Sequence, residues 1–282
     1  MDARTFFGLR HEPAATRWSL PVVPTLCTGG GFLFGGCALG AAIEAMEAET
    51  GRPVRWATAQ YLDYARPPAT MDIEVNIAVA GRNTAQARAL CTVDDREIIA
   101  VSGAFGERPH FHQSGQWAEM PSVRPPEDCE PRRLREDHET SIMSRIEMRL
   151  ANARDWADLD GTPGDGRASL WARVPEVLDM SAASLAILGD YVPFGIGQTL
   201  GLPAGGNSLD NSLRVVRLVP TDWVLVDIRV SGVRDGFGHG LVHLWATDGT
   251  LLATGSQSVI VRYWGGSEQA AMELSEGFRQ RS

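Results

Sequence analysis

A carboxylate, a hydroxyl and an amide, Asp210, Ser231 and Gln257, stand 153 residues beyond Ala57, Ala78 and Ala104, an interval at which the sequence repeats itself. Polar groups in the later copy therefore oppose methyls in the earlier one. Burying a carboxylate or an amide costs free energy unless it is paired, so a core position that keeps one has a compensating partner or a use such as proton transfer. The comparison requires an ungapped register, since a single gap before Pro67 moves Asp210 off Ala57. Each residue also has a plainer reading: Asp210 as a turn or cap, Ser231 beside Gly232 as a turn, and Gln257 as a solvent-facing strand residue.

Other chemistries find little support. The sequence has no G-x-S-x-G elbow, no H-E-x-x-H and no H-x-E with P-C-x-x-C, so a nucleophilic serine and hydrolytic zinc both lose ground. His239 and His243 alternate on one expected strand and could share a face, but they lack a third ligand, so no metal is expected. All 26 basic residues are arginine, which excludes a P-loop lysine and a Schiff-base lysine. Cys27, Cys37, Cys91 and Cys129 form no C-x-x-C pair and read mostly as buried free thiols. The glycine-rich run Gly29 to Gly36 lacks G-x-G-x-x-G spacing and precedes no βαβ unit, so no dinucleotide and no other cofactor is expected.

Bulk properties narrow the partners further. A net charge of −9 and a pI near 5.2 argue against nucleic acid, whose phosphates call for a basic face. The first residues lack the basic start and apolar core of a secretory signal, and no apolar run is long enough to span a bilayer. A soluble cytoplasmic protein is the expectation.

The elements that must position these residues follow from patterning. Arg17 to Cys27 reads as extended, and the glycines after it lead into a helix from Cys37 to Thr50, with Gly51 as the stop. That helix is apolar around most of its circumference, so a sheet should enclose it. From Trp56 to Phe105, short alternating runs such as Met71-Asp72-Ile73-Glu74-Val75-Asn76-Ile77, with turns at Gly81-Arg82-Asn83 and Asp94-Asp95, read as an antiparallel meander. One helix wrapped by such a meander is an α+β unit of the hotdog kind. A linker rich in proline and charge is expected over 109–140, after a first unit over 1–108. In a second unit over 141–265, Ile142 to Leu150 and Ser169 to Val174 read as extended, Met180 to Leu188 as helical, and Ser208 to Tyr263 as strands, before a tail over 266–282.

Duplication is supported by three matches at the same interval of 153: Pro67 with Pro220, Asp95 with Asp248 at a hairpin turn, and Ala100 with Ala253 after it. Asp95-Arg96-Glu97-Ile98-Ile99-Ala100 stands against Asp248-Gly249-Thr250-Leu251-Leu252-Ala253. The expected architecture is a double hotdog, two fused α+β units.

The segments Asn207 to Leu213, Trp223 to Val226 and Asp248 to Arg262, with Phe34-Gly35-Gly36 and Tyr61 through Arg66-Pro67 in the first half, resemble the acyl-CoA thioesterase II family of double hotdogs. The resemblance implies hydrolysis of fatty acyl-CoA by a water that an aspartate, a hydroxyl residue and a glutamine hold together, carried over to Asp210, Ser231 and Gln257. Two departures are Asn211, where the family commonly has histidine, and Ser231, where it has threonine. In this scheme Asp210 is the general base, and a backbone N–H of Gly35 or Gly36 at the start of the buried helix polarises the carbonyl. Arg66, Arg82, Arg214 and Arg217 could meet the phosphates of CoA. Enoyl-CoA hydration or dehydration and acyl-CoA binding without turnover are the alternatives on the same fold. Association into a homo-oligomer is a further implication of the resemblance.

Overall fold

The computed structural model describes residues 1–12, 16–135, 138–176 and 179–264, so the tail expected over 266–282 lies outside the described residues. The first half opens with α1 (Ala3–Phe7), β1 (Arg10–Glu12) and β2 (Arg17–Val22), and its long helix is α2 (Gly35–Thr50). Four strands follow: β3 (Val54–Tyr61), β4 (Ala69–Ala80), β5 (Thr84–Val93) and β6 (Arg96–Gly106). The alternation is well marked in β5, where Ala85, Ala87, Ala89, Cys91 and Val93 are buried and most of the residues between them are exposed. Asp94 and Asp95, both at positive φ, form the tight turn into β6.

The second half contains β7 (Glu130–Pro131), β8 (Glu147–Asn152), β9 (Arg167–Arg173), α3 (Ala182–Gly189) and α4 (Val192–Leu200). Its meander is β10 (Ala204–Val215), β11 (Val224–Arg234), β12 (Phe237–Ala246) and β13 (Leu251–Tyr263). Here the central helix is interrupted, and a second segment stands where the sequence pattern indicated only one. Pro193 is the cause: it has no N–H to donate and its ring clashes with the carbonyl one turn earlier, so the chain leaves helical geometry at Asp190 and Tyr191 and starts again.

Among the described residues the strands form one sheet in the order β1-β2-β4-β5-β6-β3-β10-β13-β12-β11-β9-β8-β7. The run β2-β4-β5-β6-β3 and the run β9-β11-β12-β13-β10 have the same internal order, so the duplication read from the interval of 153 is present in three dimensions. The halves join edge to edge through β3 and β10, from Asp210 opposite Gln60 to Arg214 opposite Trp56. This pairing removes two free sheet edges.

α2 and α3 lie against each other, which explains why glycines are found inside α2 despite their poor helix propensity. A Cβ on Gly36 would come within 2.7 Å of the Ala186 carbonyl oxygen, and one on Gly40 within 2.9 Å of that of Ala183. The helix therefore begins at Gly35, two residues before the start expected from the apolar run. The stretch expected as a linker is not a free spacer over its described residues. Ala118, Met120, Val123 and Cys129 pack around Trp171, Leu225, Trp245 and Leu251 on the second half, and the Trp171 indole donates to the Arg124 carbonyl at 2.8 Å.

Candidate active site

The break between α3 and α4 places a carboxylate, Asp190, in the buried helical layer. Asp190 is only 5% exposed and caps the C-terminus of α3, and its side chain crosses to the other half, where Oδ2 accepts the Gly36 N–H at 2.7 Å. Gly36 lies in the first turn of α2, so the carboxylate faces the positive end of the helix dipole. Its other oxygen, Oδ1, accepts from Gln257 Nε2, and the Ser208 hydroxyl lies 3.5 Å from it. The same Gln257 nitrogen donates to Ser208 Oγ at 2.6 Å. Both amide protons of Gln257 are thus engaged, while its Oε1 is buried with no hydrogen-bond partner.

Burial pushes the Asp190 carboxyl up to about 7, and the hydrogen bonds from Gln257, Gly36 and Ser208 oppose the rise without cancelling it. A carboxyl poised near neutrality can accept a proton from water and later return it. Tyr61 completes the surroundings from the first half. A Cβ built on Gly35 would fall 2.7 Å from Asp190 Oδ2 and 3.0 Å from the Tyr61 hydroxyl, so only glycine lets the three groups converge.

These groups open onto a cavity of about 450 Å³ lined from both halves, by Phe32, Phe34, Tyr61 and Tyr64 on one side and Met143, Asp190, Tyr191, Phe194 and Ser208 on the other. The volume suits a small-molecule ligand and the wall is mainly apolar. Arg132 and Arg135 also line it. Arg66 stands close by, donating to the carbonyls of Gly30 and Gly31 and lying over the rings of Phe32 and Tyr64. Arg82, Arg214 and Arg217 are not part of the wall.

The residues singled out from sequence are placed differently from one another. Gln257 and Gly36 lie at Asp190, and Gly35 is in the cavity wall beside them. Asp210 is not there. It pairs in register with Ser258, and its Oδ1 accepts the Ser258 N–H at 2.8 Å, whereas Gln257 pairs with Asn211. The reason is a β-bulge between Ser208 and Asp210, which inserts Leu209 and shifts the alternation by one. Ser208 and Asn211 consequently share the inward face with Gln257, and Asp210 turns to the opposite face. Ser231 is exposed at a second bulge, on β11, three positions from β10 in the sheet, and does not approach Asp190. The carboxylate and hydroxyl that the structure sets beside Gln257 are therefore Asp190 and Ser208, which the sequence reading did not single out.

A signal for each was present. Asp190 is the lone charge in the apolar run from Ala182 to Ile196 and stands three residues before a proline; at the interval of 153 it opposes Cys37, a fully buried residue of α2. Ser208 falls inside the segment Asn207 to Leu213 that carried the family resemblance. His239 and His243 lie on the outward face of β12, where His239 Nδ1 meets Ser258 Oγ at 3.1 Å. Among the described residues there is no group of three or more His, Cys, Asp or Glu side chains able to hold a metal ion. None of the described helices is long and apolar enough to cross a membrane.

Two helix-in-sheet units joined edge to edge through β3 and β10, with a carboxylate of one unit set at the helix start of the other, define a double hotdog protein with a cavity at the joint. The chain belongs to the acyl-CoA thioesterase family of this build: residues 23–106 match the acyl-CoA thioesterase N-terminal domain and residues 126–261 the acyl-CoA thioesterase C-terminal domain. Among solved structures, it is similar to a candidate thioesterase of Novosphingobium aromaticivorans, with 33% identity over 91% of this chain and 98% of that one and a TM-score of 0.79. A hot dog fold protein of unknown function from Alicyclobacillus acidocaldarius shares 20% identity over 92% of this chain and 97% of that one, at a TM-score of 0.81. An acyl-CoA thioesterase II of Mycobacterium marinum shares 18% identity over 94% and 99% of the two chains, at a TM-score of 0.71. No curated protein matches the chain.

Proposed function

We propose that this protein hydrolyses fatty acyl-CoA to the free acid and CoA, using a water held by Asp190, Ser208 and Gln257. The observation that carries the reading is the buried Asp190 carboxyl, set at the start of α2 and hydrogen-bonded to a glutamine that also binds a serine hydroxyl. Asp190 takes a proton from the water as its oxygen attacks the thioester carbonyl carbon. The tetrahedral intermediate then collapses, the C–S bond breaks, and the CoA thiolate receives that proton from Asp190. Ser208 and Gln257 orient the water, so that correct alignment is built in before the substrate arrives.

For the developing oxyanion, the start of α2 supplies backbone donors. Since the Gly36 N–H is already engaged by Asp190, the role falls to the Gly35 N–H. The acyl chain is assigned to the apolar wall of Phe32, Phe34, Met143 and Phe194, and the phosphates of CoA to Arg66, Arg132 and Arg135. We retain a cytoplasmic setting and association into a homo-oligomer as parts of this reading, although one chain already brings both halves of the site together. A panel of acyl-CoA lengths, assayed for released thiol, tests it directly. Turnover by the wild type that is lost in Asp190→Asn supports the proposal, and absence of thiol release across the panel refutes it.

A further inference from the structure

Tyr61 is left unused by the scheme above, yet its position is unusual. It ends β3, opposite Ile99 of β6, and its ring lines the cavity at the joint between the halves. Its hydroxyl is buried beside the Asn211 side chain and makes no hydrogen bond of ordinary geometry. A phenol desolvated in this way is worse off than a phenylalanine ring in the same place, because the hydroxyl has given up water for a poorly aligned contact with Asn211. Such a group is explained if a partner arrives with the ligand.

The surroundings narrow the kind of partner. The hydroxyl lies 3.0 Å from the point a Gly35 Cβ would occupy, and Asp190 Oδ2 lies 2.7 Å from the same point, so phenol and carboxylate flank one small space beside the first turn of α2. Burial and the negative charge of Asp190 hold the phenol well above its usual range, while the neighbouring Asn211 side chain opposes that shift. Tyr61 therefore remains a neutral hydrogen-bond donor and is not a proton source at ordinary pH. Its second charged neighbour, Asp210, acts in the same direction as Asp190. A neutral donor pointed at an acceptor that acquires negative charge only during reaction is the arrangement that stabilises a transition state more than a ground state.

We infer that the Tyr61 hydroxyl donates to the thioester carbonyl oxygen and, more strongly, to the oxyanion formed from it, sharing that oxygen with the Gly35 N–H. The inference rests on the hydrolytic reading of the site. It makes Tyr61 a catalytic residue contributed by the first half, complementing Asp190, Ser208 and Gln257 from the second.

Tyr61→Phe removes one oxygen atom and leaves the ring, so the test is clean. With a fatty acyl-CoA turned over by the wild type, kcat is expected to fall about 100-fold, the size typical of losing one oxyanion donor, with KM within about threefold. The thermal midpoint should hold or rise, and the acid limb of the pH profile should not move. A kcat within twofold of wild type overturns the inference, as does a loss accompanied by a lowered midpoint or a displaced acid limb, which would mark Tyr61 as a structural support for Asp190. Failure of the underlying reading looks different: the wild type itself would release no thiol, or Asp190→Asn would keep its rate.

Discussion

The two halves have the same strand order but have diverged at the end of the helix that meets the partner. In the first half the helix runs unbroken from Gly35 to Thr50 and offers only backbone N–H groups at its start. In the second half, Pro193 splits the helix and leaves Asp190 in the gap, and Gln257 stands on β13 where Ala104 stands on β6 at the repeat interval. In the proposed site one copy thus supplies a helix start and a phenol, and the other supplies a carboxylate, a hydroxyl and an amide. Duplication with fusion allows this division, because each copy is released from having to build a whole site by itself.

The largest expected effect of disturbing the comparison is that of Asp190→Asn, which removes the base and should lower kcat by roughly 1,000-fold. The same variant reports on stability. Burial raises the Asp190 carboxyl to about 7 from an ordinary value of 3.8, so the folded state binds this proton more tightly than the unfolded chain does. The stability associated with the bound proton is fully present below about 4 and is lost as pH rises toward 7. The asparagine variant should therefore be the more stable protein at pH 8, and its advantage should shrink toward pH 4, as thermal melts across that range would reveal.

Gly35→Ala should come next, with kcat reduced by about 100-fold, because its methyl would intrude on both Asp190 Oδ2 and the Tyr61 hydroxyl and displace groups that must be aligned. Smaller again is Ser208→Ala, which removes one hydrogen bond and should cost about tenfold in kcat/KM. Since Ser208 and Gln257 both lower the Asp190 pKa, removing either should also move the acid limb of the rate profile upward from about 7. A limb that stays in place would separate these residues from the ionisation of Asp190. Asp210→Asn and Ser231→Ala should leave kcat within twofold of wild type, for one side chain accepts a backbone N–H on the opposite face and the other is exposed.

How much of this was legible follows from which signals are local. The tight turns at Asp94-Asp95 and Asp248-Gly249, the alternation in β5 and the stop at Gly51 depend on neighbouring residues, so the duplicated α+β unit could be read from the chain. The edge-to-edge joining of β3 and β10 has no such local mark. Asp210 was singled out by the interval of 153 and by the resemblance, and nothing in Ser208-Leu209-Asp210 announces the bulge that sets it on the face away from Gln257. Ser231 was singled out by the interval of 153 from Ala78, which assumes a regular strand up to a point where β11 is itself bulged. Gln257 lies on β13, where its side chain is buried. Asp190 could have been found as the charge preceding Pro193 in an apolar helix, but its partner, the Gly36 N–H, lies 154 residues away and emerges only from the packing of α2 against α3.

Thiol release from a fatty acyl-CoA, compared in parallel for wild type, Asp190→Asn and Asp210→Asn, tests the central assignment most directly. The account predicts that the wild type and the Asp210 variant turn over at similar rates while the Asp190 variant is nearly inactive. An active Asp190 variant beside an inactive Asp210 variant would contradict it.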